Sequence, residues 1–75
     1  MNLNLMKLKI AQANNCMTID QIVKETGLAR ATVSKTFNGK GKPSPKTIGL
    51  IAKVLGIDVM ELIKDEKINQ EVLKQ

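Results

Sequence analysis

Residues that start and stop helices divide this chain into short segments, each with apolar residues at helical spacing. The clearest start is Ser44 followed by Pro45, because serine caps a helix and proline suits its first position. The segment ends at Gly56, since glycine readily adopts the left-handed conformation found at helix ends. Between them the apolar residues follow one helix face: Ile48, Ile51, Ala52 and Leu55. A bundle of short helices is therefore expected.

Four further helices are predicted from the same signals. The first is expected at about residues 3–14. The second follows the N-cap Thr18 and ends at Gly27, and the third begins at Ala29 or Arg30 and ends at Gly39. The last follows the N-cap Asp58 and ends at about residue 64. Glu61 lies three residues after Asp58 and is expected to complete a capping box there. Inward-facing residues are predicted on the first, second and fifth helices: Leu5, Leu8, Ala11, Ile19, Ile22, Val23, Val59, Leu62 and Ile63.

The strand signal is poor, because alternation of apolar and polar residues is not sustained anywhere. The predicted fold class is all-α, as one compact five-helix domain over residues 1–64. Residues 65–75 are polar, and we expect them to form a frayed helix or a disordered tail.

Composition argues against most kinds of catalytic site. The chain has 75 residues, one cysteine and no histidine, so neither a zinc site nor a Cys–His pair can be built. No other residues form an acid–base or nucleophile constellation. We therefore predict no enzyme activity, no metal, no cofactor and no small-molecule ligand. Cys16 is expected to be a small, half-buried apolar residue at the first turn.

The sequence shows no signal peptide and no apolar run near the ~18 residues needed to cross a bilayer. A lone cysteine also fits a reducing compartment. We therefore expect a cytoplasmic protein with no membrane partner.

Positive charge is concentrated in the middle of the chain. Between Gly27 and Lys53 there are six basic residues and no acidic one, whereas from Val54 onward there are three basic and five acidic residues. A basic, acid-free stretch favours binding to a polyanion, while the C-terminal part resembles a solvated surface.

The predicted third helix has two distinct faces when its residues are placed at 100° intervals. One face carries Ala29, Thr32, Val33, Thr36 and Phe37, and is expected to pack on the core. The other carries Arg30, Ala31, Ser34, Lys35 and Asn38. This second face is narrow and basic, and a helix of this kind fits the major groove of B-DNA. With the helix and glycine turn before it, it forms a helix-turn-helix.

The stretch MTIDQIVKETGLARATVSKTFNGKGKPSPKTIGLIAKVLGIDVMELI resembles the Cro and phage-repressor type of helix-turn-helix domain, the Xre family. The resemblance implies a lambda-repressor-like domain that binds double-stranded operator DNA, most often as a dimer, and regulates transcription, here expected as a repressor. RATVSKTFNGKG is also similar to the headpiece of lac-repressor-type regulators, but the extra helix in front favours the Cro-like assignment.

The resemblance also implies which residues touch DNA. The positions that read bases in the family fall on Arg30, Ala31 and Lys35. Contacts to the DNA backbone, or support for them, fall on Thr18, Ile19, Thr32, Ser34, Asn38, Lys40 and Lys42. Ile19 departs from the family, in which a glutamine often binds a phosphate at that position. Ala31 cannot hydrogen-bond a base edge, although its methyl group can contact a thymine methyl.

Two alternative functions remain open at this stage. The same fold serves in antitoxins and protein-interaction modules, and RNA is a further polyanion, although stacking aromatics are missing apart from Phe37. For assembly we expect a homodimer, at least on DNA. Leu50 and Val54 are expected to pack against the fifth helix or to form the dimer interface, which Ile68 and Val72 would extend.

Overall fold

A computed structural model describes residues 2–63, which form five helices joined by short turns. The helices are α1 (Leu5–Asn14), α2 (Ile19–Thr26), α3 (Arg30–Phe37), α4 (Pro45–Leu55) and α5 (Val59–Leu62). The all-α, five-helix prediction is confirmed. The predicted tail, 65–75, with Ile68 and Val72, lies outside the described residues. No helix within residues 2–63 is long and apolar enough to span a bilayer.

The predicted caps set the ends of α2 and α4. The Thr18 hydroxyl accepts a hydrogen bond from Gln21 N at 3.1 Å, and Gln21 Oε1 accepts one from Thr18 N at 2.8 Å. These two bonds form a capping box, which satisfies N–H groups that the helix itself leaves unpaired. Ser44 caps α4 by accepting from Thr47 N at 3.2 Å. Gly27 and Gly56 end the two helices at φ values of 74° and 70°.

The outer ends of α1 and α5 differ from the prediction, because residues expected to be helical pair with each other. Leu3 and Ile63 form an isolated antiparallel bridge, and Asn4 N donates to Leu62 O at 2.8 Å. Asn4 then caps α1 by accepting from Lys7 N at 3.1 Å. The predicted start of the first helix at residue 3 was therefore wrong, as was the expectation that Ile63 belongs to the fifth helix, which ends at Leu62; residue 64 lies outside the described residues.

The capping box predicted at Asp58 and Glu61 is not formed. The Asp58 carboxylate does cap α5, but it accepts from Met60 N at 2.8 Å. Glu61 N instead donates to the backbone oxygen of Asp58 at 2.9 Å, as in an ordinary helical turn. Because the Asp58 carboxylate bonds the N–H of Met60, it does not accept from the N–H of Glu61, which a capping box requires.

The hydrophobic core draws on every helix. Its buried members are Leu8, Ala11, Ile22, Val33, Phe37, Ile48, Ile51, Ala52, Leu55 and Leu62. The remaining residues predicted to face inward, Leu5, Ile19, Val23, Val59 and Ile63, are partly buried and pack against this cluster. Leu50 and Val54 are half-buried and lie outside it.

The turn between α1 and α2 is held by Asn15. Its side-chain nitrogen donates to Ala11 O at 2.8 Å and to Leu55 O at 2.7 Å, which ties the C-terminal ends of α1 and α4 together. Cys16 follows at a φ of 51° and is exposed. The expectation of a half-buried Cys16 was wrong, because the residue lies in the exposed turn between α1 and α2.

Candidate nucleic-acid interface

The turn between α2 and α3 is built by hydrogen bonds at Thr26 and Gly27. Gly27 N donates to Val23 O at 2.9 Å, and the Thr26 hydroxyl donates to Ile22 O at 2.7 Å. The same hydroxyl accepts from Leu28 N at 3.2 Å. These bonds close α2 and hold the start of the next segment, so that α3 packs directly against α2. The two helices form the predicted helix-turn-helix.

One face of α3 is buried and the other is exposed. Val33, Thr36 and Phe37 are at most 4% exposed, and the Thr36 hydroxyl donates to Thr32 O at 2.8 Å. That bond removes the cost of burying a polar group in the core. On the opposite face, Arg30, Ala31 and Lys35 are all exposed and Ser34 is half-buried, while Thr32, predicted on the core face, is also half-buried. The two faces expected from residue spacing are confirmed for Val33, Thr36 and Phe37 and for Arg30, Ala31 and Lys35. Ala29, expected on the core face, is exposed, because it precedes the helix as its N-cap.

The N-terminus of α3 lacks a capping side chain. Its N-cap residue is Ala29, which makes no side-chain hydrogen bond, and the first turn contains no acidic residue. The first N–H groups of a helix have no acceptor within it, and they carry the positive end of the helix dipole. Such an end favours an anionic partner, and a phosphate suits it. It lies beside Arg30, the first residue of the helix.

The loop after α3 carries two exposed lysines, Lys40 and Lys42. Lys40 N donates to Lys35 O at 2.8 Å, which fixes the start of the loop to the last turn of the helix. Asn38 is exposed at the helix end, and its side-chain nitrogen lies 3.5 Å from Ser34 Oγ. The loop therefore continues the basic surface that begins on α3.

The N-terminus of α2 offers backbone donors more than side chains. The N–H and hydroxyl oxygen of Thr18 are both engaged in the capping box, and Ile19 is partly buried against the core. The N–H groups of Ile19 and Asp20 have no acceptor within the helix, because they belong to its first turn. A phosphate at this end would therefore bind backbone N–H groups.

An ion pair links the first turns of the two helices. Arg30 Nη1 contacts Asp20 Oδ1, and both side chains remain largely exposed, at 65% and 72%. Within residues 2–63 this is the only ion pair. It holds the guanidinium of Arg30 on the α2 side of the exposed face.

Comparison with known families agrees with this geometry. A model of the helix-turn-helix family matches residues 17–62, which run from just before α2 to the end of α5. The chain belongs to the Xre-type helix-turn-helix family. This family consists of DNA-binding domains and not of enzymes, and its membership supports DNA binding of the helix-turn-helix type. Neither the curated proteins nor the solved structures include a significant match.

Two residues of this Xre-type domain were missed by sequence reasoning. Gln21 completes the capping box of α2, and the Thr-x-x-Gln spacing from Thr18 could have revealed it. Asp20 contacts Arg30 from ten residues earlier in the chain. No local spacing predicts that contact, because it depends on how α2 and α3 pack.

Proposed function

We propose that this domain, residues 1–64, binds an operator in double-stranded DNA and acts as a transcriptional repressor in the cytoplasm, associated with the nucleoid. In this proposal α3 enters the major groove, with Arg30, Ala31 and Lys35 at the base edges. The DNA backbone is contacted from the first turn of α2 and from Asn38, Lys40 and Lys42, while Thr32 and Ser34 support the reading face.

The observation that carries the proposal is the continuous basic surface of α3 and the loop after it. Arg30, Lys35, Lys40 and Lys42 are exposed, and the helix end beside Arg30 has no cap and no acid in its first turn. Cations and free N–H groups on one surface suit a line of phosphates.

The proposed readers lie on one exposed face of α3. Arg30 and Lys35 are five residues apart, which is ~7.5 Å along a helix axis, so they reach different bases. Arg30 can donate two hydrogen bonds to O6 and N7 of a guanine, whereas Ala31 between the two cations leaves room for a thymine methyl.

Selection of bound fragments from a random duplex pool tests the proposal. We expect enrichment of a pseudo-palindromic motif with at least one guanine in each half, because a two-fold symmetric pair of helices reads two equivalent half-sites. An excess of structured RNA should not compete with the selected duplex. Recovery of no motif, or displacement of the duplex by RNA, would contradict the proposal.

A second candidate, a protein-interaction module, is favoured by one observation. Met6, Ile10 and Met60 are 70%, 51% and 64% exposed, and large exposed apolar residues that lie together mark protein-binding surfaces. They lie on α1 and α5, away from α3 in the sequence. A protein bound at these residues would not prevent α3 from enriching a duplex, so enrichment supports the first candidate in either case. If no duplex is enriched and a protein is captured through these residues, the second candidate is favoured.

A further inference from the structure

We infer that Asp20 positions Arg30 for base reading and lowers the affinity of the domain for non-specific DNA. This inference rests on the proposed function, since it concerns the same surface. Its basis is the ion pair between the Asp20 carboxylate, in the first turn of α2, and the Arg30 guanidinium, at the start of α3.

The contact leaves Arg30 able to bind a base. A guanidinium has five N–H donors in a rigid plane, and Asp20 engages the Nη1 end. The N–H groups on Nη2 and Nε remain, and two parallel donors are what O6 and N7 of guanine require. The ion pair and the base contact can therefore exist together, and neither has to be broken for the other to form.

The ion pair also limits where Arg30 can point. A free arginine on the surface samples many rotamers, and ordering it on DNA costs conformational entropy. A guanidinium already held on one side by a carboxylate has fewer orientations to lose. The Arg30 side chain is 65% exposed, so packing against other residues does not restrict its orientation.

The negative charge of Asp20 has a second effect. Asp20 lies in the first turn of α2, the end proposed to approach a phosphate. On non-specific duplexes binding is almost entirely electrostatic, so a carboxylate at that end weakens it. On the selected site the oriented Arg30 offsets this loss through its base contact. Asp20 therefore raises the ratio of specific to non-specific affinity.

A purely structural role for Asp20 makes a different prediction. An acidic residue in the first turn stabilises a helix through its dipole, and an exposed ion pair adds little to stability. Such a role would change the free energy of unfolding and would leave base preference unaffected. Base preference is therefore the decisive measurement.

The experiment measures binding by fluorescence anisotropy to three kinds of duplex. These are the selected site, a series in which one guanine of the site is replaced at a time, and a scrambled duplex. The variants are Asp20→Asn, Asp20→Glu, Arg30→Ala and the double variant Asp20→Asn/Arg30→Ala. Glu25→Gln is the matched control, because it removes an exposed acid from the other end of α2. Thermal unfolding of each variant reports whether it remains folded.

We expect Asp20→Asn to bind the scrambled duplex more tightly and to lose about two- to fivefold of its discrimination at one guanine, the range expected for an exposed ion pair. Asp20→Glu should retain most of that discrimination, and Glu25→Gln all of it. In the Arg30→Ala background, Asp20→Asn should cause no further loss.

Unchanged base discrimination in folded Asp20→Asn, with discrimination lost in Arg30→Ala, would overturn the inference and leave the proposed function intact. Equal loss of discrimination in Asp20→Asn and Glu25→Gln would also overturn it, because the effect would then be one of net charge alone. If the wild type does not discriminate between the duplexes at all, the proposed function fails together with the inference.

Discussion

Gly39 lies directly against Leu5, so that a Cβ atom added at Gly39 would stand 2.5 Å from Leu5 Cδ1. The contact joins the loop after α3 to the first residue of α1. Since Lys40 and Lys42 follow in the same loop, the position of these two lysines depends on how closely Gly39 approaches α1. Gly39 also has a φ of 73°, which an L-residue with a side chain adopts at a cost.

Gly39→Ala should therefore destabilise the fold more than Gly41→Ala. Gly41 has the same φ of 73° but no atom within 4 Å of an added Cβ, so it isolates the backbone cost of roughly 1–2 kcal/mol. Gly39→Ala adds the displacement of Leu5, so the extra cost should disappear when Gly39→Ala is made in a Leu5→Ala background and compared with Leu5→Ala alone. Chemical denaturation measures all four variants. Equal free energies of unfolding for the two alanine variants would show that Leu5 moves aside freely.

Replacing the two loop lysines should weaken binding to all duplexes alike. Lys40→Ala and Lys42→Ala each remove one cation from the phosphates, so the slope of log K against log salt should become shallower by about 1 per lysine. Lys24→Ala is the control, since Lys24 lies in the last turn of α2, opposite its N-terminus. The phosphate role is ruled out if the double variant keeps the wild-type slope.

Arg30→Ala should relax the choice of base at one position in each half-site. The expected loss is ~1–3 kcal/mol at the preferred sequence, because a bidentate contact to guanine is removed. Non-specific binding should change little. A panel of single-base operator variants measures this effect. A uniform loss over the panel would instead assign Arg30 to a phosphate and make Lys35 the main reader.

Capping the start of α3 should separate helix stability from DNA binding. Ala29 has the extended backbone of an N-cap, at φ −65° and ψ 142°, but no side chain to act as one. Ala29→Ser and Ala29→Asp should each stabilise the domain by ~0.5–2 kcal/mol. Ala29→Asp should weaken DNA binding more than Ala29→Ser, because its charge opposes the phosphates while both side chains occupy an N–H group of the first turn. If the two variants bind equally well, the N-terminus of α3 does not face the DNA backbone.

Two copies of the chain should occupy each operator. The half-sites are expected to lie about one helical turn, ~34 Å, apart, as two-fold symmetric helix-turn-helix proteins require. Leu50 and Val54 are half-buried and outside the core, so they are our candidates for the dimer contact. Leu50→Asp should then reduce binding cooperativity, and sedimentation with a saturating duplex counts the chains. One chain per duplex at saturation would exclude this arrangement.

Much of the fold was predictable because the signals that set it are local. Caps such as Thr18 and Ser44, and glycines such as Gly27 and Gly56, act within one helical turn. The periodicity of apolar residues likewise predicted that Val33 and Phe37 would be buried and that Arg30 and Lys35 would be exposed. Helix ends and the burial of helix residues could therefore be predicted, because they are determined by residues close by in the sequence.

The remaining features depend on residues that are far apart in the chain. Leu3 was predicted to be helical, but it pairs with Ile63 in a bridge. The Asn15 side chain donates to Leu55 O because the C-terminal ends of α1 and α4 meet. No window of sequence contains both members of these contacts. Their geometry is decided only when the core brings the helices together.

The sequence by itself therefore determined a five-helix, basic, helix-turn-helix domain and the exposed face of its third helix. Only the tertiary structure decided that Asp20 meets Arg30 and that Gly39 must pass close to Leu5. The physical reason is one of range: capping and periodicity act over about one helical turn, whereas ion pairs and steric contacts between helices depend on how those helices pack.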